Sequence, residues 1–403
     1  MSCYLDNNNK KECLGCEACV QICSKQAITM TEDHDGFRYP MIDAKKCVNC
    51  NLCRKVCPYE NMPNRYSDNK YVFGGYSLNK DIRFESTSGG AFSELVKAFC
   101  DNDYVIFGAE SDSLDVFHSH IIDIAELSKF RKSKYSQSKI NNTYKETKCF
   151  LADGKKVLFS GTPCQIAGLK SFLGNKQYDN LLTIEVICEG VPSPLYVRKL
   201  NKHFENKYGT SIKSLDYRYT GKSLFNNGKW DFEQMKVQTS DLKHVCIKDR
   251  WFNPFWSIWL KHLMSRPSCY ECPFTSNNRG ADITLGDLWG VHIYCPELYG
   301  NNNGSSLVIG NTEKGIAVIK HAEKNMYGHM LSFDDALKFQ GPMRKHIADN
   351  PNRKEFMNDL RSDMDYQQLT KKWADKPSLK LLFQKYIWGN RQKVFIHNIF
   401  KKK

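Results

Sequence analysis

Two runs of cysteines near the start of the chain share a spacing that suits metal binding. Each run reads C-x2-C-x2-C-x3-C, and every cysteine of the second run lies 34 positions after its counterpart in the first. Three closely spaced thiolates can bind three irons of one 4Fe-4S cubane, whereas the fourth lies too far along the chain and binds the other cubane. One predicted cluster has the ligands Cys13, Cys16, Cys19 and Cys57, and the second has Cys47, Cys50, Cys53 and Cys23.

This repeated spacing is typical of bacterial ferredoxins that hold two clusters. Ser24 stands where the pattern usually has proline, a residue that Pro58 supplies in the second run. A zinc ribbon would have two ligands per knuckle, and a disulfide framework suits a short secreted chain. The sequence therefore predicts an iron–sulfur module and disfavours both alternatives.

Four further cysteines follow predicted strands or turns later in the chain: Cys164, Cys188, Cys269 and Cys272. Because strand ends converge on a common edge of a sheet, these thiols could share one metal site. Taken alone they suit a zinc ion and a third 4Fe-4S cluster equally, and the iron–sulfur module upstream favours iron. The remaining cysteines have no partner pattern and are interpreted as core or incidental residues: Cys3, Cys100, Cys149, Cys246 and Cys295.

Two turns and one basic stretch offer sites for an anionic ligand. Residues 86–91 read Ser-Thr-Ser-Gly-Gly-Ala and precede a predicted helix that runs from Phe92 to Cys100. Such a turn presents hydroxyl and N–H groups to a phosphate, although the spacing alone favours an ordinary N-cap. A predicted strand at 156–160 leads into a Gly-Thr-Pro turn, a common ligand-site arrangement in α/β proteins. The cationic stretch 128–139 fits a solvated loop or a phosphate site.

The composition indicates where in the cell the protein is located and which kinds of partner it has. The chain has 403 residues and a formal net charge of +14. Its first residues contain no apolar signal region, and no apolar run is long enough to cross a membrane. Abundant cysteine without an export signal indicates reduced thiols and a cytoplasmic location. Negatively charged clusters balance part of the basic excess, and Lys and Arg are dispersed apart from the tail 401–403, so nucleic-acid binding is not expected.

The order of predicted elements indicates a mixed α+β and α/β architecture. Residues 1–66 form a small ferredoxin-like dicluster domain. Residues 67–150 and 151–335 form two parts of a larger mixed α/β region, and residues 336–403 form a helical, basic C-terminal tail. This tail fits a docking helix with a solvated basic face better than a membrane-surface anchor.

Six segments of the chain form a combination of motifs: Ser86–Phe92, Ser133–Tyr135, Phe159–Gln165, Cys188–Ser193, Arg266–Phe274 and Ala281–Asp287. Together they resemble the coenzyme F420 hydrogenase/dehydrogenase beta-subunit family. The resemblance implies a flavoprotein that binds FAD with a 4Fe-4S cluster close by. It implies that the third cluster, in the 151–335 part, is bound by Cys164, Cys188, Cys269 and Cys272. The implied flavin contacts, most of them in the 67–150 part, are Ser88, Gly89, Gly90, Ser133, Lys134, Tyr135 and Thr162.

The resemblance also implies an FAD- and iron–sulfur-dependent oxidoreductase. It would pass electrons between a hydride donor such as reduced coenzyme F420 and a one-electron partner, either a ferredoxin-like protein or a larger complex. The alternatives are a reductase of an unknown substrate linked to polysaccharide biosynthesis, an electron-transfer subunit without a substrate, and a binding protein with structural or sensory clusters. Relatives often have His directly after the cysteine matching Cys188, whereas this chain has Glu189, which leaves the substrate open. Asp282 and Asp287 are expected to contact the cofactor or to serve as turn residues.

Overall fold

A computed structural model of the chain describes residues 3–66, 71–221, 234–249, 252–298, 304–383 and 399. The basic tail end at 401–403 lies outside these ranges. The strands are β1 Ile28–Glu32, β2 Arg38–Ile42, β3 Tyr71–Ser77, β4 Tyr104–Asp112, β5 Asp115–Ile121, β6 Lys156–Gly161, β7 Leu181–Val186, β8 Ile212–Asp216, β9 Met235–Thr239, β10 Val245–Lys248, β11 Ile283–Asp287, β12 Ser306–Gly310 and β13 Met326–Met330.

The α-helices within these ranges are α1 Tyr4–Asn7, α2 Ala18–Ile22, α3 Leu52–Lys55, α4 Lys80–Phe84, α5 Ala91–Phe99, α6 Thr143–Ala152, α7 Pro163–Phe172, α8 Pro194–Tyr208, α9 Pro254–Trp259, α10 Val291–Tyr294, α11 Glu313–Ala322, α12 Phe333–Lys338, α13 Gly341–Arg344, α14 Arg353–Arg361, α15 Tyr366–Trp373 and α16 Leu379–Leu382. Short 3-10 helices span Lys10–Glu12, Ile124–Phe130, Pro267–Glu271, Pro296–Leu298 and Glu323–Asn325. Among the residues described, no helix is both long enough and apolar enough to cross a lipid bilayer.

An eight-stranded mixed sheet is the centre of the fold. Its strand order is β13-β3-β12-β11-β7-β6-β4-β5. The strands β4, β6, β7 and β11 are parallel, whereas β5 at one edge and β12 on the other side run antiparallel to their neighbours. Strands of this sheet come from both predicted parts of the α/β region, 67–150 and 151–335. The mixed α/β fold predicted from the sequence is confirmed.

Helices cover both faces of the sheet, so its central strands are apolar on both sides. Successive residues of β4 alternate between the two faces. Ile106 packs in a core with Leu95 of α5, while Val105 and Phe107 pack in a second core with Ile166 of α7. A third, aromatic core lies among α8, α9, α14, α15 and the small sheet β10-β9-β8.

The N-terminal cysteine module packs against the sheet through α7. Cys16 and Ala18 share a core with Ile166. At Gly168 an added Cβ would lie 3.0 Å from the Cβ of Cys16 and 2.9 Å from the hydroxyl of Tyr144. Glycine therefore allows α7 to approach the first cysteine run closely.

Candidate functional site

The sequence repeat of the two cysteine runs is retained in the backbone. Gly15 and Asn49, equivalent positions of the repeat, have φ angles of +68° and +54°. Glu17 and Asn51, also equivalent, have φ angles of +60° and +58° and precede α2 and α3. These matched left-handed residues turn each run in the same way, so both runs have the same local shape.

The four cysteines predicted to bind the first cluster line one cavity. Cys13, Cys16, Cys19 and Cys57 all contribute to its wall, and Cys53 also reaches it. Burial, followed by the neighbouring thiols, raises the pKa of Cys19 well above its usual value. Four convergent thiols in an apolar cavity fit a cubane, because iron binds the thiolate form and displaces the proton.

The second predicted set of thiols lies at the surface. Cys23, Cys47 and Cys53 are half-buried, and Cys50 is exposed. Backbone N–H groups lie 3.3 Å from the sulfur of Cys23 and 3.5 Å from that of Cys47, as donors to both. The apolar side chain of Val48, in the same loop, is 60% exposed. This set is therefore accessible to another molecule.

The third predicted set converges at one edge of the sheet. Cys164 lies in the first turn of α7 after β6, and Cys188 lies just beyond β7. Because β6 and β7 are parallel neighbours, both residues leave the sheet at the same edge. Cys269 and Cys272 belong to the turn at Pro267–Glu271. Burial, followed by the charges of Cys269 and Cys164, raises the pKa of Cys188 well above its usual value. The N–H of Gly190 lies 3.4 Å from the sulfur of Cys188, and an added Cβ at Gly190 would lie 3.4 Å from the sulfur of Cys269, so both cysteines adjoin the same glycine.

A buried arginine joins the first and third cysteine sets. Arg266 is 1% exposed and stands three positions before Cys269. Its guanidinium donates to the backbone carbonyl of Cys13 at 3.0 Å and to the sulfur of the same residue at 3.4 Å. It also donates to the carbonyl of Arg38 and to the side chain of Gln137, both at 3.0 Å. No sequence pattern indicated this role, although Arg266 begins one of the family-like segments.

The turns predicted to contact a flavin touch each other. The hydroxyls of Thr87 and Ser133 lie 3.2 Å apart. Ser88 donates to a backbone carbonyl at 2.8 Å. Arg131 donates to the hydroxyl of Ser93, in the first turn of α5, at 3.0 Å. The predicted basic stretch thus lies against the N-terminus of α5, where helix N–H groups favour an anion.

The two predicted glycine contacts have packing roles of their own. A Cβ at Gly89 would lie 2.4 Å from the carbonyl oxygen of Gly75 and 2.7 Å from the backbone nitrogen of Ser306. Gly90 adopts φ +82° and precedes α5 as its N-cap. The protein's own backbone therefore requires glycine at both positions, as the N-cap interpretation expected.

The other predicted flavin contacts are engaged with protein groups. Lys134 donates to the carbonyl of Arg131 at 2.8 Å, and burial lowers its pKa to about 8. Tyr135 packs edge-on in the aromatic core beside α9, where burial raises its pKa to about 12. Thr162 caps α7, and its hydroxyl lies 3.1 Å from the sulfur of Cys164. Thr162 therefore connects the turn after β6 to the third cysteine set.

A buried histidine that no sequence pattern indicated holds the basic stretch against α7. The imidazole of His118 lies 2.9 Å from the carbonyl of Ser160 and 2.9 Å from the hydroxyl of Ser138. Gln165 donates to the same hydroxyl at 2.8 Å. Burial lowers the pKa of His118 to about 4, so this residue is a neutral structural link near neutral pH.

The two predicted aspartates have protein partners. Asp287 accepts a hydrogen bond from the buried Arg218 at 2.7 Å, an ion pair between residues far apart in the chain. Asp282 accepts from the backbone N–H of Thr183 at 2.8 Å and from its hydroxyl at 2.7 Å, which ties β11 to β7. Asp282 is thus a structural residue.

Glu189 directly follows Cys188 of the third cysteine set, and burial raises the pKa of its carboxyl group.

Comparison with known proteins matches two parts of the chain to known families. The family described as the C terminus of the coenzyme F420 hydrogenase/dehydrogenase beta subunit matches residues 154–336. A 4Fe-4S dicluster domain matches residues 12–61. This second match supports the two predicted clusters of the N-terminal module.

Similar individual proteins include an uncharacterized ferredoxin of Methanocaldococcus jannaschii, which is 34% identical over 50 residues. An uncharacterized polyferredoxin-like protein of the same organism is 33% identical over 63 residues. These alignments cover 12% and 14% of this chain and 64% and 38% of the relatives, so the chain spans less than two thirds of either. A chain from the F420-reducing NiFe hydrogenase complex of Methanosarcina barkeri is similar with a TM-score of 0.46 and 17% identity, covering 73% of this chain and 93% of that one.

Proposed function

We propose that the chain is an iron–sulfur oxidoreductase related to the coenzyme F420 hydrogenase/dehydrogenase beta subunit, and that it is a flavoprotein. The match of residues 154–336 to that family and of residues 12–61 to a 4Fe-4S dicluster domain supports this proposal. In this proposal it passes electrons between a hydride carrier such as reduced coenzyme F420 and a one-electron partner, through FAD and three 4Fe-4S clusters. The partner is a ferredoxin-like protein or a larger complex.

The observation that most supports this proposal is that the three cysteine sets lie close to one another. Arg266 contacts Cys13 of the first set and stands beside Cys269 of the third. Cys19 of the first set and Cys53 of the second line the same cavity. In the proposal the sets therefore follow one another from the interior of the fold to the exposed loop of Cys50.

Each group would supply a distinct kind of chemistry. A flavin exchanges electron pairs with an organic donor, whereas 4Fe-4S clusters transfer one electron at a time. The protein's part is to hold the groups in sequence, to bury the inner ones and to expose the outer one. Buried hydrogen bonds to the ligand sulfurs, such as that from Arg266 to Cys13, would adjust the potential of a bound cluster.

The N-terminus of α5 favours a bound anion, and this supports FAD, which carries a pyrophosphate, as the ligand. Arg131 lies next to the helix N-terminus, where a pyrophosphate is favoured, and Lys134 donates to the carbonyl of Arg131. In the proposal the flavin contacts are Ser88, Gly89, Gly90, Ser133, Lys134, Tyr135 and Thr162. Thr162 lies beside Cys164, so a flavin held there would be next to the third cysteine set.

The first experiment is a cofactor analysis of anaerobically purified and reconstituted protein. We expect about twelve irons per chain and one FAD. Reduced coenzyme F420 should bleach the flavin absorbance, and NADH should not. Protein that contains its full iron complement and takes up no flavin would refute the flavoprotein proposal.

A pair of neighbouring lysines gives a matched test of the flavin site. Lys134 is buried and donates to the carbonyl of Arg131, whereas Lys139 pairs with the exposed Asp115 at 3.0 Å. Lys134→Ala should lower FAD occupancy about tenfold or more, since one charged contact to a phosphate contributes ~1.5–3 kcal/mol. Lys139→Ala should leave it unchanged. Equal occupancy in both variants would remove Lys134 from the site.

An electron-transfer subunit without its own substrate is the second candidate. The exposed loop of Cys50 and Val48 favours it, because such a surface suits contact with another redox protein. Protein that carries flavin and clusters but responds to no hydride donor would favour this candidate. For either candidate we propose a cytoplasmic location, because cysteines that bind iron–sulfur clusters require a reducing compartment.

A further inference from the structure

Three metal-ligating side chains meet at the edge of the main sheet, away from the predicted iron–sulfur cysteines. Cys295 follows α10, Glu297 lies in the next 3-10 helix, and His329 lies on the edge strand β13. The sulfur of Cys295 lies 3.1 Å from a carboxylate oxygen of Glu297. The Nε2 atom of His329 lies 3.9 Å from the same oxygen. The three ligand atoms all lie within 4.8 Å of one another.

The chemistry of this cluster indicates more than an exposed acidic contact. Cys295 is 3% exposed. The side chains of His329 and Glu297 are 41% and 50% exposed, but the Nε2 atom of His329 is itself shielded from solvent and has no hydrogen-bond partner among the described residues. A shielded imidazole nitrogen without a partner is costly, and a metal ion would satisfy it.

We propose that Cys295, Glu297 and His329 form a Zn²⁺ site. Bond lengths of ~2.3 Å to sulfur and ~2.0–2.2 Å to nitrogen and oxygen imply ligand atoms ~3.3–3.6 Å apart in a tetrahedral site. The observed separations of 3.1 Å and 3.9 Å lie on either side of that range. Small side-chain rotations are therefore enough to close the site.

The ligand types select the metal. A thiolate with an imidazole and one carboxylate suits Zn²⁺, whereas Mg²⁺ and Ca²⁺ prefer oxygen ligands alone. Binding releases the thiol proton of Cys295, because the thiolate is the ligand. Three protein ligands leave the fourth position for water or for an atom of a substrate. The ion would also tie the turn after α10 to the exposed edge of the sheet.

The test uses the full chain with its iron complement restored under anaerobic conditions. The protein is dialysed against buffered zinc with magnesium in excess, and zinc and iron are counted by mass spectrometry. We expect one zinc per chain at unchanged iron content. The zinc K-edge absorption spectrum should show one sulfur ligand at ~2.3 Å with nitrogen and oxygen ligands.

Single conservative variants separate this site from adventitious binding. Cys295→Ser and His329→Gln should each weaken zinc binding at least tenfold, because even residues that only support a metal ligand have effects of that size. The control variants are Cys149→Ser, an exposed isolated cysteine, and His321→Gln, on α11; both should bind zinc as the wild type does.

Three outcomes would overturn the proposal. The first is no zinc in the wild-type chain. The second is zinc bound equally by Cys295→Ser, His329→Gln and the controls. The third is zinc taken up only as iron is lost, since the metal would then occupy the iron–sulfur cysteines. None of these outcomes depends on flavin or on electron transfer, so the test is independent of the proposed function.

Discussion

Replacing Arg266 by glutamine should shift the reduction potential of the first cluster to more negative values. The guanidinium is buried and donates to the sulfur of Cys13 at 3.4 Å. A reduced cluster carries one more negative charge than an oxidised cluster, so a nearby cation stabilises the reduced form. Arg266→Gln removes the cation and that stabilisation, while a polar side chain of smaller size is retained.

The hydrogen bond from Arg266 to Cys13 sets the expected size of the shift in reduction potential. A hydrogen bond to a charged group contributes ~1.5–3 kcal/mol. For one electron, 1.4 kcal/mol corresponds to about 59 mV, so the expected shift is ~60–130 mV. Coulomb's law at the 3.4 Å contact with an effective dielectric constant of about 20 gives ~5 kcal/mol. That value is a ceiling, because the charge of a cluster is spread over several atoms.

The assay is an anaerobic redox titration followed by electron paramagnetic resonance. Arg266→Lys keeps the charge and loses the forked geometry, so its potential should lie close to that of the wild type while its melting temperature falls. The control is Arg353→Gln. Arg353 donates to Tyr270 at 3.0 Å and to the carbonyl of Ser265 at 2.9 Å, and no hydrogen bond joins it to a cysteine in the described residues.

A shift of less than ~20 mV in Arg266→Gln would refute the electrostatic reasoning, since it corresponds to only ~0.5 kcal/mol. An equal shift in Arg353→Gln would refute it as well, because the effect would then come from general loosening of the fold. Arg266→Gln should also lower the free energy of unfolding by ~1–3 kcal/mol, because buried acceptors lose their donor. Retained iron content must therefore be checked before the titration is interpreted.

Three further predictions concern single positions. Cys188→Ala should remove about four of about twelve irons and leave the signals of the N-terminal clusters intact; loss of all iron would contradict the ligand grouping. Gly168→Ala should lower the free energy of unfolding by ~1–3 kcal/mol through overpacking, whereas Gly280→Ala, where an added Cβ meets no atom within 4 Å, should be neutral in the same thermal melts. His118 has a folded-state pKa of about 4, below the unfolded value of ~6.5, so its stabilising effect is complete above pH 6.5 and declines as the pH falls towards 4. The wild type should lose ~2 kcal/mol more than His118→Asn between pH 8 and pH 5; a stability difference that does not change with pH would refute this sign.

The features that the sequence predicted well depend on short-range patterns. The spacing of the first cysteine run, from Cys13 to Cys23, identified the dicluster module because the ligands of a cubane are close in sequence. The apolar runs of β6 and β7 predicted buried strands, because a parallel strand covered on both faces is apolar throughout. The helix after the Gly89–Gly90 turn was also predicted, within one residue at each end.

The features that were missed depend on contacts between distant parts of the chain. Arg266 meets Cys13 across 253 positions and Arg38 across 228. Nothing in the local sequence of an arginine tells which carbonyl or sulfur it will meet. The antiparallel placement of β12 beside β11 and β3 also depends on tertiary packing. The ligand grouping of the third cysteine set and the flavin contacts stay predictions.

The N-terminal module is fixed to the rest of the protein and is not a tethered carrier. Side chains of the main region bind its backbone at separate points: Gln137 donates to the carbonyl of Leu14 at 2.9 Å, and Ser193 donates to that of Asp35 at 2.6 Å. Arg266 adds a third point at Cys13. We therefore expect these bonds to hold the first and third cysteine sets at a fixed distance. Under the proposed function, a redox partner would bind at the exposed second set, so mutations of that loop should change the partner's association and leave reduction of the inner groups unaffected.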